Sequence, residues 1–197
     1  TGMAEAYELH TEDKDINNLS FEERFNLLID YEYARRQSNK LQRLIRQANF
    51  CNPEASIEEI EYYPDRHLDK ELITRLSIIF MGASGNGKTW LANAFGVQAC
   101  RQLRRVKYIR LPELIDELKV ARFEADGSYR KLVNKYRKVD LLIIDEWLLT
   151  ELNQEDSIHV LEIIEARLHK TSTIFCSQFA PDGWHHKIEN VQLADAI

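Results

Sequence analysis

Residues 82–90 read GASGNGKTW and directly follow the apolar run SIIFM. Gly-x-x-x-x-Gly-Lys-Thr between a strand and a helix is the pattern of a phosphate-binding loop. Gly82, Gly85 and Gly87 allow a tight backbone whose N–H groups face phosphate oxygens. Lys88 has the charge and reach for the β- and γ-phosphates, and the Thr89 hydroxyl suits Mg²⁺. A glycine-rich surface turn would account for the glycines, but not for a Lys-Thr pair placed between SIIFM and the helix-forming WLANAFGVQACRQL. A nucleoside triphosphate is the ligand this stretch implies, without saying what its energy is used for.

Two further stretches carry chemistry. In LLIIDEW (141–147) a buried strand ends in two carboxylates. In a parallel sheet that places Asp145 and Glu146 at the same edge as the phosphate loop. Asp145 would hold Mg²⁺, and Glu146 would polarise a water for attack on the γ-phosphate. Alone, an acidic strand cap is the simpler account; beside GASGNGKT the pair points to hydrolysis rather than transfer to a small acceptor. TSTIFCSQF (171–179) ends a neighbouring strand in polar residues, with Gln178 the first choice to sense the γ-phosphate and Ser177 the second. His185-His186 lack the surrounding ligands of a metal site and read as a loop after Pro181-Asp182-Gly183.

The elements that must position these residues alternate. Ser77–Met81, Val106–Leu111, Val139–Ile144 and Ser172–Cys176 read as strands. Helices are expected after the loop, over Pro112–Glu124, Ser128–Arg137 and Asp156–His169. Strands spaced by helices mean βαβ units, an α/β fold with a parallel sheet covered on both faces. Trp147 and Trp184 are expected to anchor strand ends in the core, while Trp90 fits the nucleotide or the core equally.

Ahead of this core, 1–18 reads as a flexible lead-in. Residues 19–76 read as a helical region, and 77–197 as the ATPase core. Ser20 with Glu23 makes a capping box for a long helix to about residue 50. Phe21, Phe25, Leu28, Leu41, Leu44, Ile45 and Ala48 form its apolar stripe, and Asn52-Pro53 ends it. Arg35, Arg36, Lys40, Arg43 and Arg46 are either a solvated face or a contact to DNA or a partner. Short helical pieces are expected around Ile57–Ile60 and Leu68–Leu76, and Tyr62 to Arg66 are candidates for an adenine pocket by position alone.

The 197 residues suffice for one α/β domain with an appendage. No apolar run approaches the roughly 18 residues of a membrane span, and the acidic start is no secretory signal. Cys51, Cys100 and Cys176 are far apart and read as small buried residues in a reducing cytoplasm. The net charge of −6 disfavours a uniformly basic nucleic-acid binder. Its distribution does not: 101–138 holds twelve Lys/Arg against five Asp/Glu. There Arg130, Lys131, Lys135, Arg137 and Lys138 alternate with Tyr129 and Tyr136. Cations meet phosphates and tyrosines can stack on bases, so the segment suits DNA; a solvated amphipathic helix is the competing account.

GASGNGKTWLANAFGVQAC, LLIIDEW, STIFCSQF with Pro181 and Trp184, and VQLADAI together resemble the IstB transposition helper ATPases. These are AAA+ proteins of bacterial insertion sequences related to DnaC helicase loaders. The resemblance implies a Mg²⁺-dependent ATPase that self-assembles on double-stranded DNA and recruits an IstA-like transposase. It implies that Gly82, Ala83, Ser84, Gly85, Asn86, Gly87, Lys88 and Thr89 bind phosphates, with Trp90 following. By the same resemblance Asp145 binds the metal and Glu146 the attacking water. Gln178 stands where the family usually has a sensor Asn. Family members continue beyond the ADAI-like segment into an Asp-Arg pair, so the chain looks truncated at Ile197. Arg167 is then the nearest upstream candidate for an arginine acting in trans. A DnaC-like replicative helicase loader, which shares the core and would bind a helicase in place of a transposase, is the close alternative, a small-molecule kinase a more distant one.

Overall fold

Ser20 and Glu23 begin the longest helix by satisfying one another. The Ser20 N–H donates to Glu23 Oε2 (2.8 Å) and the Glu23 N–H to Ser20 Oγ (3.3 Å). Two of the donors that a helix start leaves over are thereby used. This helix, α3 (Phe21–Ala48), follows α1 (Gly2–Glu12) and α2 (Lys14–Asn17). The two short helices fall in the segment read from sequence as a lead-in. GMAEAYELHTE is rich in good helix formers, and Asp13 caps α2 by accepting the Asp15 N–H at 2.9 Å. Within α3, Glu32 takes Arg35 (3.3 Å) and Arg36 (2.7 Å), both pairs internal to the helix. The apolar stripe is unevenly covered. Phe21 and Phe25 are exposed and stack on each other, while Leu44 and Ala48 are buried.

The computed structural model describes residues 2–60, 77–124, 127–168 and 170–188. Leu68–Leu76 and the Tyr62–Arg66 candidates lie outside them. The chain divides into two compact units, Thr1–Arg43 and Leu44–Ile197. The division falls inside α3, and residues 50–60 belong to the second unit. A Cβ at Gly96 would lie 2.4 Å from the Phe50 ring, and Arg101 pairs with Glu58 at 3.1 Å.

The second unit is built on four parallel strands, β1 (Ser77–Met81), β2 (Val106–Arg110), β3 (Leu141–Trp147) and β4 (Ser172–Ser177), in the order β1-β4-β3-β2. β3 has a strand on each side and helices over each face, which is why LLII needs no polar alternation. Between the strands run α4 (Lys88–Arg101), α5 (Leu111–Phe123), α6 (Ser128–Lys138) and α7 (Gln154–Arg167). α7 starts two residues before the expected Asp156, since Asn153 caps it by accepting the Asp156 N–H at 2.8 Å. Leu114 and Leu118 of α5, Val133 and Tyr136 of α6 and Val160 and Ile163 of α7 join Leu142 and Ile144 in one core. The opposite face, marked by Ile143, receives α4, where Gly96 allows the close approach. Among the described residues no helix is long and apolar enough to cross a membrane.

Candidate functional site

The loop between β1 and α4 is closed by its own lysine. Lys88 Nζ donates to the carbonyls of Gly82 (2.6 Å) and Ala83 (2.8 Å). Gly85 (φ 85°) and Gly87 (φ 76°) have left-handed backbones that side chains disfavour. Nothing lies within 4 Å of where their Cβ atoms would be, so the loop surface is bare backbone. Gly87 is also the residue at which α4 starts, which aims a helix N-terminus and its free N–H groups at the loop. Asn93, fully buried one turn along α4, donates to the Thr89 carbonyl at 2.6 Å. Trp90 is half-buried, and Ala83, Ser84 and Asn86 are exposed.

The loop and the acid strand meet side chain to side chain. Thr89 Oγ1 donates to Asp145 Oδ2 at 2.7 Å. The same oxygen accepts the Tyr108 hydroxyl (2.8 Å), and Asp145 Oδ1 accepts the Glu146 N–H (2.8 Å). Asp145 is 5% exposed and compensated by these three donors. Burial holds the Tyr108 phenol above its ordinary range, with Cys51 and Asp145 adding to the effect, so it remains a donor. Cys51 itself is exposed, contrary to the sequence expectation, while Cys100 and Cys176 are buried.

The sequence does not announce how the strand delivers both acids. β3 continues through them to Trp147, and its pairing with β4 slips between Ile144↔Phe175 and Trp147↔Ser177. Two residues, Asp145 and Glu146, thus oppose Cys176 alone, a β-bulge with Glu146 in the left-handed region (φ 54°). Asp145 keeps the parity of Ile143 and faces α4 and Thr89. The bulge resets the alternation, so Trp147 joins Ile144 on the other face, against Phe175 and Trp184 (ring centroids 4.7 and 5.8 Å). The two tryptophans are core anchors, as the sequence suggests. Glu146, half-exposed, pairs with Arg110 at 3.5 Å, and Arg110 is also gripped by Glu113 (2.7 Å). Sequence reasoning missed Tyr108 and Arg110; their alternation at the end of β2, next to the acid strand, was the available signal.

Other candidates fare differently. Gln178 is exposed just past β4, whose Ser177 pairs with Met81 at the root of the loop. Ser177 is no sensor: it is fully buried, its hydroxyl donating to the Trp147 carbonyl (3.1 Å) and accepting the Phe179 N–H (3.1 Å). Arg167 cannot act in trans, because it is 1% exposed and spent inside the unit. Its guanidinium donates to the carbonyls of Tyr136 (2.7 Å), Val139 (2.9 Å) and Ser172, and to Thr173 Oγ1 (3.1 Å). It closes the C-terminal end of α6, where helix carbonyls lack partners. Burial pulls its pKa down to about 10, against the counter-effect of Asp140.

Along α6, Arg130, Lys131, Lys135, Arg137 and Lys138 are all exposed. Lys131, Lys135 and Lys138 share one stripe by their spacing, while Arg130 and Arg137 border a shallow groove toward Glu162 of α7. Lys135 is loosely paired with Glu117 at 3.9 Å. The tyrosines are not stacking platforms. Tyr136 is fully buried and donates to Glu117 (2.6 Å), and Tyr129 turns to His159 (2.7 Å) and Glu162 (3.1 Å) of α7.

A glycine loop leading into a helix, with its threonine on the carboxylate of a strand two positions across the sheet, defines the phosphate-loop class of AAA+ ATPase folds. Solved structures agree: the replication initiator DnaA bound to AMPPCP and single-stranded DNA superposes with a TM-score of 0.65 at 22% identity, over 75% of this chain and 48% of that one. DnaI does so with a TM-score of 0.59 at 20% identity, over 78% and 86%. Within that class the chain belongs to the family of IstB-like ATP binding proteins, matched over residues 1–197. Relatives include an insertion sequence ATP-binding protein of Sinorhizobium fredii, 37% identical over 100% of this chain and 83% of its own length. Another is the ATP-binding protein described for insertion sequence IS1162 of Pseudomonas fluorescens, also 37% identical, over 90% of this chain and 80% of its own.

Proposed function

We propose that this protein is a Mg²⁺-dependent ATPase that assembles on double-stranded DNA and serves an IstA-like transposase as its helper. The contact of Thr89 with Asp145 carries the reading, since it brings a phosphate-loop hydroxyl and a buried carboxylate to one point. The donor set fits the expected ligand: bare glycine backbone and Lys88 for phosphates, a hydroxyl and a carboxylate for a hard cation. ATP with Mg²⁺ would supply the scissile phosphoanhydride and the charge neutralisation. For the chain's part, Lys88 would exchange the Gly82 and Ala83 carbonyls for phosphate oxygens, and Thr89 and Asp145 would hold the metal. Glu146 would orient and deprotonate a water, and the Gln178 amide would contact the γ-phosphate from the end of β4. Arg130, Lys131, Lys135, Arg137 and Lys138 would neutralise DNA phosphates along α6. The insertion-sequence relatives support a transposase as the partner. Steady-state ATP hydrolysis with and without duplex DNA is the test. Turnover that rises with duplex DNA is expected, and turnover stimulated only by a small acceptor molecule would overturn the reading in favour of a kinase.

A further inference from the structure

We propose that Tyr108 is a positioning residue for metal binding, its hydroxyl fixing the Asp145 carboxylate so that Asp145 and Thr89 present one preformed site to a divalent cation. The inference rests on the nucleotide reading above and deepens it. Among the described residues Asp145 has three donors, and they are not equivalent. The Glu146 N–H on Oδ1 is backbone and comes with the bulge. The Thr89 hydroxyl on Oδ2 belongs to a group that itself would face the cation. Tyr108 reaches the carboxylate from β2, outside both the loop and the acid strand, at 2.8 Å. It is 3% exposed and held in register opposite Ile143.

The position also argues against mere packing. Tyr108 lies on the strand face shared with Val106 and Ile143, both buried, where a phenylalanine would fill nearly the same volume without an oxygen to place. With the hydroxyl removed, Oδ2 loses one of the donors it has among the described residues and keeps Thr89, and the carboxylate can turn about its Cβ–Cγ bond. Outer partners that orient a metal ligand typically change metal affinity by 10- to 100-fold when removed.

The experiment compares wild type, Tyr108→Phe and Ile109→Val in two measurements: ATP affinity in EDTA, and Mn²⁺ affinity of the ATP-loaded protein by electron paramagnetic resonance. Tyr108→Phe should bind metal-free ATP within about twofold of wild type and fall roughly tenfold or more in Mn²⁺ affinity. Ile109→Val, which loosens the same strand without removing a donor, should change neither. Equal Mn²⁺ affinity in wild type and Tyr108→Phe, with ATP bound to both, would overturn the inference alone. So would an equal loss in Ile109→Val, which would assign the effect to strand packing. Failure of the wild type to bind ATP in EDTA would overturn the nucleotide reading and the inference with it.

Discussion

Lys88 and Gly82 are joined by a 2.6 Å hydrogen bond in which the loop's cation sits on the loop's own carbonyl. The ammonium is therefore poised over the turn and needs only to exchange one set of oxygens for another. Lys88→Ala removes both the closing hydrogen bonds and the one cation of GASGNGKT. ATP affinity should fall by roughly 100-fold or more, the scale of one or two charge-assisted hydrogen bonds. Equilibrium binding of ATP to the variant, with an unfolding curve to verify the fold, is the measurement; unchanged affinity would remove the loop from the site.

Glu146→Gln keeps shape and hydrogen bonding but loses basicity. It should bind ATP as wild type does, while turnover falls by roughly 100-fold or more. The exposed pair with Arg110 disappears at little cost to stability. A parallel loss of binding and turnover would make Glu146 a structural residue of the bulge.

The basic helix gives a prediction in salt. Replacing Arg130, Lys131 and Lys135 by Ala removes three exposed cations from α6. If they meet phosphates, the slope of log affinity for duplex DNA against log salt should shrink by roughly one unit for each phosphate no longer neutralised. Stability should barely change, because surface substitutions of this kind stay within about 0.5 kcal/mol. An unchanged slope would return the helix to solvent.

Arg167 makes a prediction about stability alone. Arg167→Ala strands several buried carbonyls, each costing on the order of 1–3 kcal/mol. Summed over them, urea unfolding should show a destabilisation of at least about 3 kcal/mol. Arg167→Lys should recover little of it, since a single ammonium cannot serve the span from Tyr136 to Ser172 that the planar guanidinium covers. A mild effect of Arg167→Ala would contradict the buried-clamp role.

His159 supplies a pH dependence. Burial first, then the neighbouring Arg122 cation, lowers its pKa below 6.5 in the folded state. Between the lowered value and 6.5 the unfolded chain binds more protons, so stability rises with pH there and falls as pH drops below about 6.5. His159→Gln should flatten that part of the profile, read from unfolding midpoints between about pH 5 and pH 8. A profile unaltered by the substitution would rule the imidazole out as its source.

Much of this site can be read from the letters because it is local. GASGNGKT carries its conformation in its glycines, and Asp145 is placed by the rule that parallel strands share a carboxyl edge. What escapes is side-chain direction. Gln178 and Ser177 are the first and second choices for one role in sequence, and the strand packing shows that the Ser177 hydroxyl is spent on the Trp147 carbonyl. Tyr136 and Tyr129 read as aromatic partners for bases until helix packing turns them onto Glu117 and α7. Arg167 looks like a free cation at a helix end, and its burial depends on where α6 terminates, a whole strand and helix earlier in the chain. Tyr108 is hidden for the converse reason: a tyrosine in a strand is ordinary until its neighbour is an aspartate.

The extra residue in β3 ties catalysis to the core in a way that constrains how this chain can change. Substitutions can be tried at Asp145 or Glu146 one at a time, but the spacing between them and Trp147 has no slack. Deleting Glu146 would restore simple alternation with Asp145 opposite Cys176 and leave Trp147 on the Ile144 face against Phe175 and Trp184, but at the loss of the second carboxylate. Inserting a residue there would misdirect the same ring. The acid pair and the tryptophan thus form a unit of fixed length. Length variation should be tolerated next to Gly127, ahead of α6, and rejected between Ile144 and Trp147.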